Sequence, residues 1–230
     1  MRTSGAWAED RLGYRFGDAA LLDAALTHRS AGRSNYERLE FLGDAVLNFA
    51  VAVLVYRAFP SADEGDLSRY RATLVSGQSL ADLAAGLGLG EQLRLGSGEL
   101  KSGGFRRDSI LADALEALVG AVYLDGGTDA AAAVVERLVA GRVAGLPQAA
   151  ADLKDPKTRL QELLQAQGRP LPVYEIEDVS GEPHEQQFIA SCDVPGLGIR
   201  ETGDGTSRRR AEQAAAQRVL ARIDRAGEDQ

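Results

Sequence analysis

The sequence is short of the residues on which several chemistries depend. Among its 230 residues there is one cysteine, Cys192, and there are two histidines, His28 and His184. A lone cysteine cannot close an internal disulfide, which excludes the disulfide-stapled secreted scaffolds and fits a reducing compartment. The two histidines fall in different predicted domains, so no histidine acid–base pair is expected within one site. There is no Gly-x-Ser-x-Gly elbow, and Cys192 has no neighbouring His or Asn pattern, which sets aside the common nucleophilic hydrolases. The glycine-rich run Leu95–Gly104 loosely resembles a phosphate cradle but lacks the Gly-Lys-Ser/Thr ending of a P-loop, and reads as a structural turn leading into the next helix.

Positive charge is also scarce. With 26 basic against 34 acidic side chains, the formal charge is −8. The deficit is shared: 15 basic against 19 acidic residues lie before position 151, and 11 against 15 after it. Neither part is basic, so a polyanionic partner must be met by local clusters. Residues 1–7 lack the basic segment and apolar run of a secretory signal. The longest greasy stretch, Ala45–Val55, is interrupted by Asn48 and falls short of the roughly 20 apolar residues that span a bilayer. A cytoplasmic protein without membrane contact is the expectation.

From Asp18 to about Ala140 apolar residues recur three and four apart, predicting helices near 18–29, 36–58, 64–76, 78–87, 107–124 and 128–142 and no strand. Residues 146–155 read as a linker between a first domain, 1–145, and a second, 156–226. The second predicts a helix opened by Pro156, strands near 172–179, 186–194 and 198–202, and a closing Ala-rich helix from Ser207: a compact α+β module.

The carboxylates of the first domain have a pattern. At about 100° per residue, Glu37, Glu40 and Asp44 fall within about 60° of one helix face. A second helix, Ser109–Leu124, is apolar nearly all round yet carries Asp113 and Glu116, neighbours at three apart. Burying unpaired carboxylates costs several kcal/mol, so something must compensate. Either arginines such as Arg38, Arg106 or Arg107 pair with them, or two packed helices offer oxygen ligands to a hard divalent cation, Mg²⁺ or Mn²⁺. Gly43, inside the same helical pattern, costs about 1 kcal/mol relative to Ala; it admits either a phosphate beside Asp44 or a close-packed second helix.

The run Glu37-Arg38-Leu39-Glu40-Phe41-Leu42-Gly43-Asp44-Ala45 resembles, at every position, the signature of ribonuclease III, the double-stranded-RNA endonuclease. Ala25-Leu26-Thr27-His28-Arg29-Ser30, Asp63-Glu64-Gly65-Asp66-Leu67-Ser68 and Ser109–Ala117 support the resemblance, and the C-terminal module is similar to a double-stranded-RNA-binding domain. The resemblance implies an all-α endonuclease domain followed by an α-β-β-β-α domain, with Mg²⁺ (Mn²⁺ as substitute) held at Glu40, Asp113 and Glu116. It further implies that Asp44 and Glu116 are catalytic, that Glu37 and Glu64 line the same acidic valley, and that Phe41 enters the partner subunit of a homodimer. Duplex cleavage would leave 5′-phosphate and 3′-hydroxyl ends with staggered cuts, on substrates such as ribosomal RNA precursors and other structured transcripts.

In the second domain the resemblance places Thr158, Gln161 and Glu162 on a helix reading 2′-hydroxyls, His184 in a minor-groove loop, and Arg208, Arg209 and Arg210 at a helix start facing phosphate. Glu212 stands where many such modules carry a third basic residue, which predicts weaker, more salt-sensitive binding. A non-catalytic RNA-binding or ribosome-associated relative is the alternative, disfavoured by the complete set Glu40, Asp44, Asp113 and Glu116. An acidic scaffold that binds only protein is disfavoured by the Ser207–Arg210 cluster.

Overall fold

The computed structural model describes residues 3–147, 153, 155–182 and 185–228, with side chains through Arg225. The chain divides into two compact units, Met1–Ala150 and Ala151–Gln230.

The first unit is helical. Its helices are α1 (Ser4–Leu12), α2 (Ala19–Ala25), α3 (Glu37–Ala58), α4 (Glu64–Leu74), α5 (Gly77–Gly86), the short α6 (Ser97–Lys101) and α7 (Asp108–Ala144), with 3₁₀ turns at Leu89–Gln92 and Gly104–Arg106. Side-chain oxygens at Thr3, Asp18, Asp63 and Ser76 accept from the first free N–H groups of α1, α2, α4 and α5, the usual means of starting a helix. α7 runs through the middle: Ile110, Leu111, Leu115, Leu118, Val119 and Val122 are all buried on its first half, and α3 and α5 pack against it.

Four differences from the sequence expectation stand out, and the first two have clear causes. The helix predicted at 18–29 stops at Ala25, because Thr27 pairs as an isolated parallel bridge with Arg94. The helices predicted at 107–124 and 128–142 are one element whose backbone turns aside at Gly127 (φ 77°, ψ −172°), a conformation only glycine adopts freely. α1 had no counterpart in the predicted set. Finally, α3 and α7 are each long and apolar enough to cross a bilayer by length and composition, beyond what the interrupted stretch 45–55 indicated; in the fold they pack on one another and carry carboxylates between them.

The second unit has α8 (Pro156–Ala166), β1 (Val173–Ser180), β2 (Gln187–Val194), β3 (Ile199–Gly205) and α9 (Arg208–Glu228). The strands form an antiparallel sheet in the order β1-β2-β3, with Val173 opposite Asp193 and Phe188 opposite Gly205. Leu160 and Leu164 of α8, Cys192 and Val194 of β2, and Ala215, Ala216, Val219 and Leu220 of α9 form its core. Cys192 is therefore an inert packing residue.

Candidate active site

The site is made where α3 crosses α7. A Cβ built on Gly43 would stand 1.8 Å from the carbonyl oxygen of Glu116, and one on Gly120 would stand 2.3 Å from that of Leu39. Of the two readings open for Gly43, close helix packing is the one found. The two backbones touch, and the carboxylates flanking the crossing are forced together. Oxygens of Glu40, Asp113 and Glu116 lie within 4.8 Å of one another.

Electrostatics show what this proximity costs. Glu116 is pushed up to about 7, first by burial and then by Asp44, Asp113 and Glu40. Glu40 is raised by burial, then by Asp113 and Glu37, with Arg29 opposing. Asp113 is raised by burial, with His28 and Arg29 opposing. Among the described residues no arginine or lysine forms an ion pair with any of the three. Arg107 lies 3.1 Å from Glu99 and Arg106 stands over the Phe105 ring, so two of the three arginines considered from the sequence are engaged elsewhere, while Arg38 lines a different hollow, beside Phe41 and Leu42. Three half-buried oxygen donors on two rigid helices, repelling one another and lacking a paired cation, fit a hard divalent metal ion.

The other predicted acids are arranged less tightly. Asp44 accepts from Asn48 Nδ2 at 2.9 Å and acts most strongly, among the neighbouring charges, on Glu116. Glu37 lies 3.5 Å from Arg29 and is more exposed. Glu64, in the first turn of α4, accepts from Ser68 Oγ at 3.0 Å and is not among the charges that act on the cluster. Sequence reasoning passed over the neighbouring 220 Å³ cavity, which Glu40 and Asp113 line together with His28, Arg29, Tyr36 and Glu99. The Thr27-His28-Arg29 segment was legible only as part of a resemblance, because the predicted helix ran straight through it.

Phe41 is 83% exposed on α3, in line with exposed Phe49 and Tyr56. The glycine-rich run proves structural: Gly96 lies so close to Ser30 that a Cβ would meet its carbonyl oxygen at 2.3 Å, and Gly103 has φ 76°.

In the second unit Thr158, Gln161 and Glu162 occupy the exposed face of α8, opposite buried Leu160 and Leu164. Arg208, Arg209 and Arg210 open α9. Arg209 is not a free cation: its guanidinium lies 3.1 Å from Asp155, which also accepts from Gln213 and caps α8 through Lys157 N–H. Arg210 donates to Thr206 Oγ1 at 3.3 Å. Glu212 faces Lys157, which also sits over the Tyr174 ring; its charge is spent within the domain. His184 lies outside the described residues.

Comparison with known proteins agrees with this geometry. Residues 18–143 match the ribonuclease-III-like family and residues 156–223 the double-stranded RNA binding motif. Ribonuclease 3 of Alkalilimnicola ehrlichii is 56% identical over 216 residues, covering 94% of both chains; that of Vibrio cholerae is 53% identical over 213 residues, covering 93% of this chain and 94% of its own. The nuclease domain of ribonuclease III from Campylobacter jejuni, solved in a study of flexibility in a region involved in its dimer formation, superposes with a TM-score of 0.57 at 44% identity, over 59% of this chain and 95% of that one. A helical nuclease domain joined to a double-stranded-RNA-binding module defines an endoribonuclease of duplex RNA. The chain belongs to the ribonuclease III family, whose chemistry takes a divalent metal ion.

Proposed function

We propose that Glu40, Asp113 and Glu116 hold Mg²⁺, with Mn²⁺ as a substitute, and that Asp44 and Glu116 are the catalytic carboxylates of phosphodiester hydrolysis. The mutual approach of the three acids without a paired cation carries this reading. When bound, a divalent ion supplies charge neutralisation on phosphoryl oxygens and a more acidic water. The side chains do the rest. Asp44, tied to Asn48, stays fixed beside Glu116 and orients the attacking water. Glu37, exposed beside Arg29, and Glu64 on α4 extend the acidic rim without joining the cluster. The products are a 5′-phosphate and a 3′-hydroxyl.

One site cuts one strand, so a duplex needs two, and a C₂ homodimer supplies them with staggered cuts. Exposed Phe41 supports this arrangement, since a large apolar ring in water gains from a partner's surface. Thr158, Gln161 and Glu162 meet 2′-hydroxyls, Arg208, Arg209 and Arg210 meet phosphates, and His184 enters the minor groove. We further place the enzyme in the cytoplasm, processing ribosomal RNA precursors and structured messenger and transfer RNA transcripts, with a catalytic domain at 1–145 joined through residues 146–155 to the RNA-binding domain at 156–226.

Structured duplex RNA incubated with wild type and Glu116→Gln, with and without Mg²⁺, tests the assignment. Cleavage only by wild type with Mg²⁺, alongside equal duplex binding by both proteins, is expected; equal cleavage by the two proteins would overturn the role of Glu116.

A further inference from the structure

His28 takes no part in the hydrolysis proposed above, yet the fold invests heavily in fixing it. The side chain is only 7% exposed. Its backbone is clamped on both sides: His28 N–H donates to Arg94 O at 3.0 Å, Arg94 N–H donates to Leu26 O at 2.8 Å, and Tyr36 N–H donates to Thr27 O at 2.9 Å. The ring is held edge-on against Tyr36, with centroids 5.6 Å apart. On one side of the ring Nδ1 accepts from Ser30 N–H at 3.2 Å and lies 2.7 Å from Ser30 Oγ, which in turn accepts from Gly96 N–H at 2.9 Å.

This clasp fixes the ring chemically as well as spatially. With Nδ1 engaged as an acceptor, the neutral imidazole carries its proton on Nε2, on the far side of the ring from Ser30. The ring lines the 220 Å³ cavity that Asp113 and Glu40 also line. The ring also bears on Asp113 when it is charged: a protonated His28 is the leading charge opposing the upward push of burial on Asp113, whereas the cation acting on Glu40 is Arg29.

We propose that His28 is a positioning residue for the metal centre, its Nε2–H directed by the Ser30 clasp to hold the Asp113 carboxylate with one oxygen turned toward Glu40 and Glu116. Among the described residues the ring makes its hydrogen bonds through Nδ1 only, which leaves Nε2–H available. A carboxylate on a helix rotates about its own χ angles, and a donor taking its outer oxygen as the three acids draw together removes that freedom. Groups of this kind, one shell out from a metal, commonly change affinity by about 10–100-fold when lost. The inference rests on the metal reading of the Glu40–Asp113–Glu116 cluster, and the test separates the two.

Full-length wild type, His28→Asn, His28→Gln and Glu116→Gln are titrated with Mn²⁺ alone, and free Mn²⁺ is counted by its electron paramagnetic resonance signal; metal-free melting is recorded for each. Asn sets its amide near Nδ1 and keeps the clasp but lacks the cavity-facing donor, whereas Gln reaches the Nε2 position with an N–H. The expected result is about a tenfold or greater loss of Mn²⁺ affinity in His28→Asn, most of it recovered in His28→Gln, with the two variants melting alike without metal. Unchanged affinity in His28→Asn, or an equal loss in both variants, overturns the role of His28 alone. Wild type that binds no Mn²⁺, or Glu116→Gln that binds it as wild type does, takes the metal reading down as well.

Discussion

The backbone of Gly43 rests against the carbonyl oxygen of Glu116, so near that a methyl group at Gly43 would stand 1.8 Å from it. The helix that carries Glu40 and Asp44 and the helix that carries Asp113 and Glu116 are thereby held at the separation the cluster requires. A side chain there meets main chain, which cannot swing aside. Gly43→Ala is expected to destabilise the first unit by about 1–3 kcal/mol or more, in the range of overpacked cores, and to abolish cleavage even where it still folds. Thermal unfolding together with a duplex-cleavage assay checks this; Gly77→Ala, at a position whose Cβ meets nothing within 4 Å, is the control.

The pH dependence of stability has a definite sign. Glu116, Glu40 and Asp113 all have folded-state affinities for protons above the ordinary carboxylate range, Glu116 up to about 7. Between roughly pH 4.5 and 7 the folded chain therefore binds more protons than the unfolded one, and stability falls as pH rises through that window. In chelator, the melting temperature of the first unit is expected to decline across it. Glu116→Gln should flatten the slope, and saturating Mn²⁺ should oppose the decline within the same window, because the ion competes with protons for the three carboxylates. A melting temperature that rises over the same window in wild type would contradict an origin in these three carboxylates.

At the RNA-binding end, Asp155 restrains Arg209 while capping α8. Asp155→Asn keeps a side chain able to cap the helix but removes the opposing charge. Its duplex affinity at low salt is expected to rise a few-fold, with a steeper salt dependence. Arg208→Ala should instead lower the slope of log affinity against log salt by about one. Filter binding over a salt series separates these outcomes from a general loss of folding.

Phe41 presents most of its ring to water. Beside it lies a 910 Å³ hollow lined by Leu21, Arg38, Leu42 and Leu124 among others. Full burial of a phenylalanine is worth about 1.5–3 kcal/mol, and a C₂ dimer buries two such rings, so the pair is worth roughly 10²–10⁴-fold in an association constant. Phe41→Ala is expected to weaken self-association by that factor in sedimentation equilibrium, with duplex cleavage falling at low protein concentration and recovering at high.

The features legible in the sequence were those written within one helix. Glu37, Glu40 and Asp44 share a face by spacing alone, and Asp113 with Glu116 stood out as charges on an apolar helix. Helix α3, the sheet strands and α9 fell within a few residues of expectation for the same reason. What the sequence concealed came from contacts between distant segments. The apolar and polar spacing of residues 18–29 continues smoothly through His28, and only its pairing with Arg94 breaks the helix. Arg209 read as a free phosphate ligand because nothing local betrays Asp155, which lies 54 positions away. Gly43 was ambiguous until the Glu116 carbonyl was seen beside it.

The three clustered carboxylates belong to two stretches of chain, one near residue 40 and one near residue 115. An ion shared between them acts as a removable crosslink that closes a long loop, and closing long loops is where a crosslink restricts the open chain most. The same ion that supports hydrolysis would thus fasten α3 to α7, so metal starvation would slacken the helix crossing itself, raising amide exchange along both helices before any RNA is met.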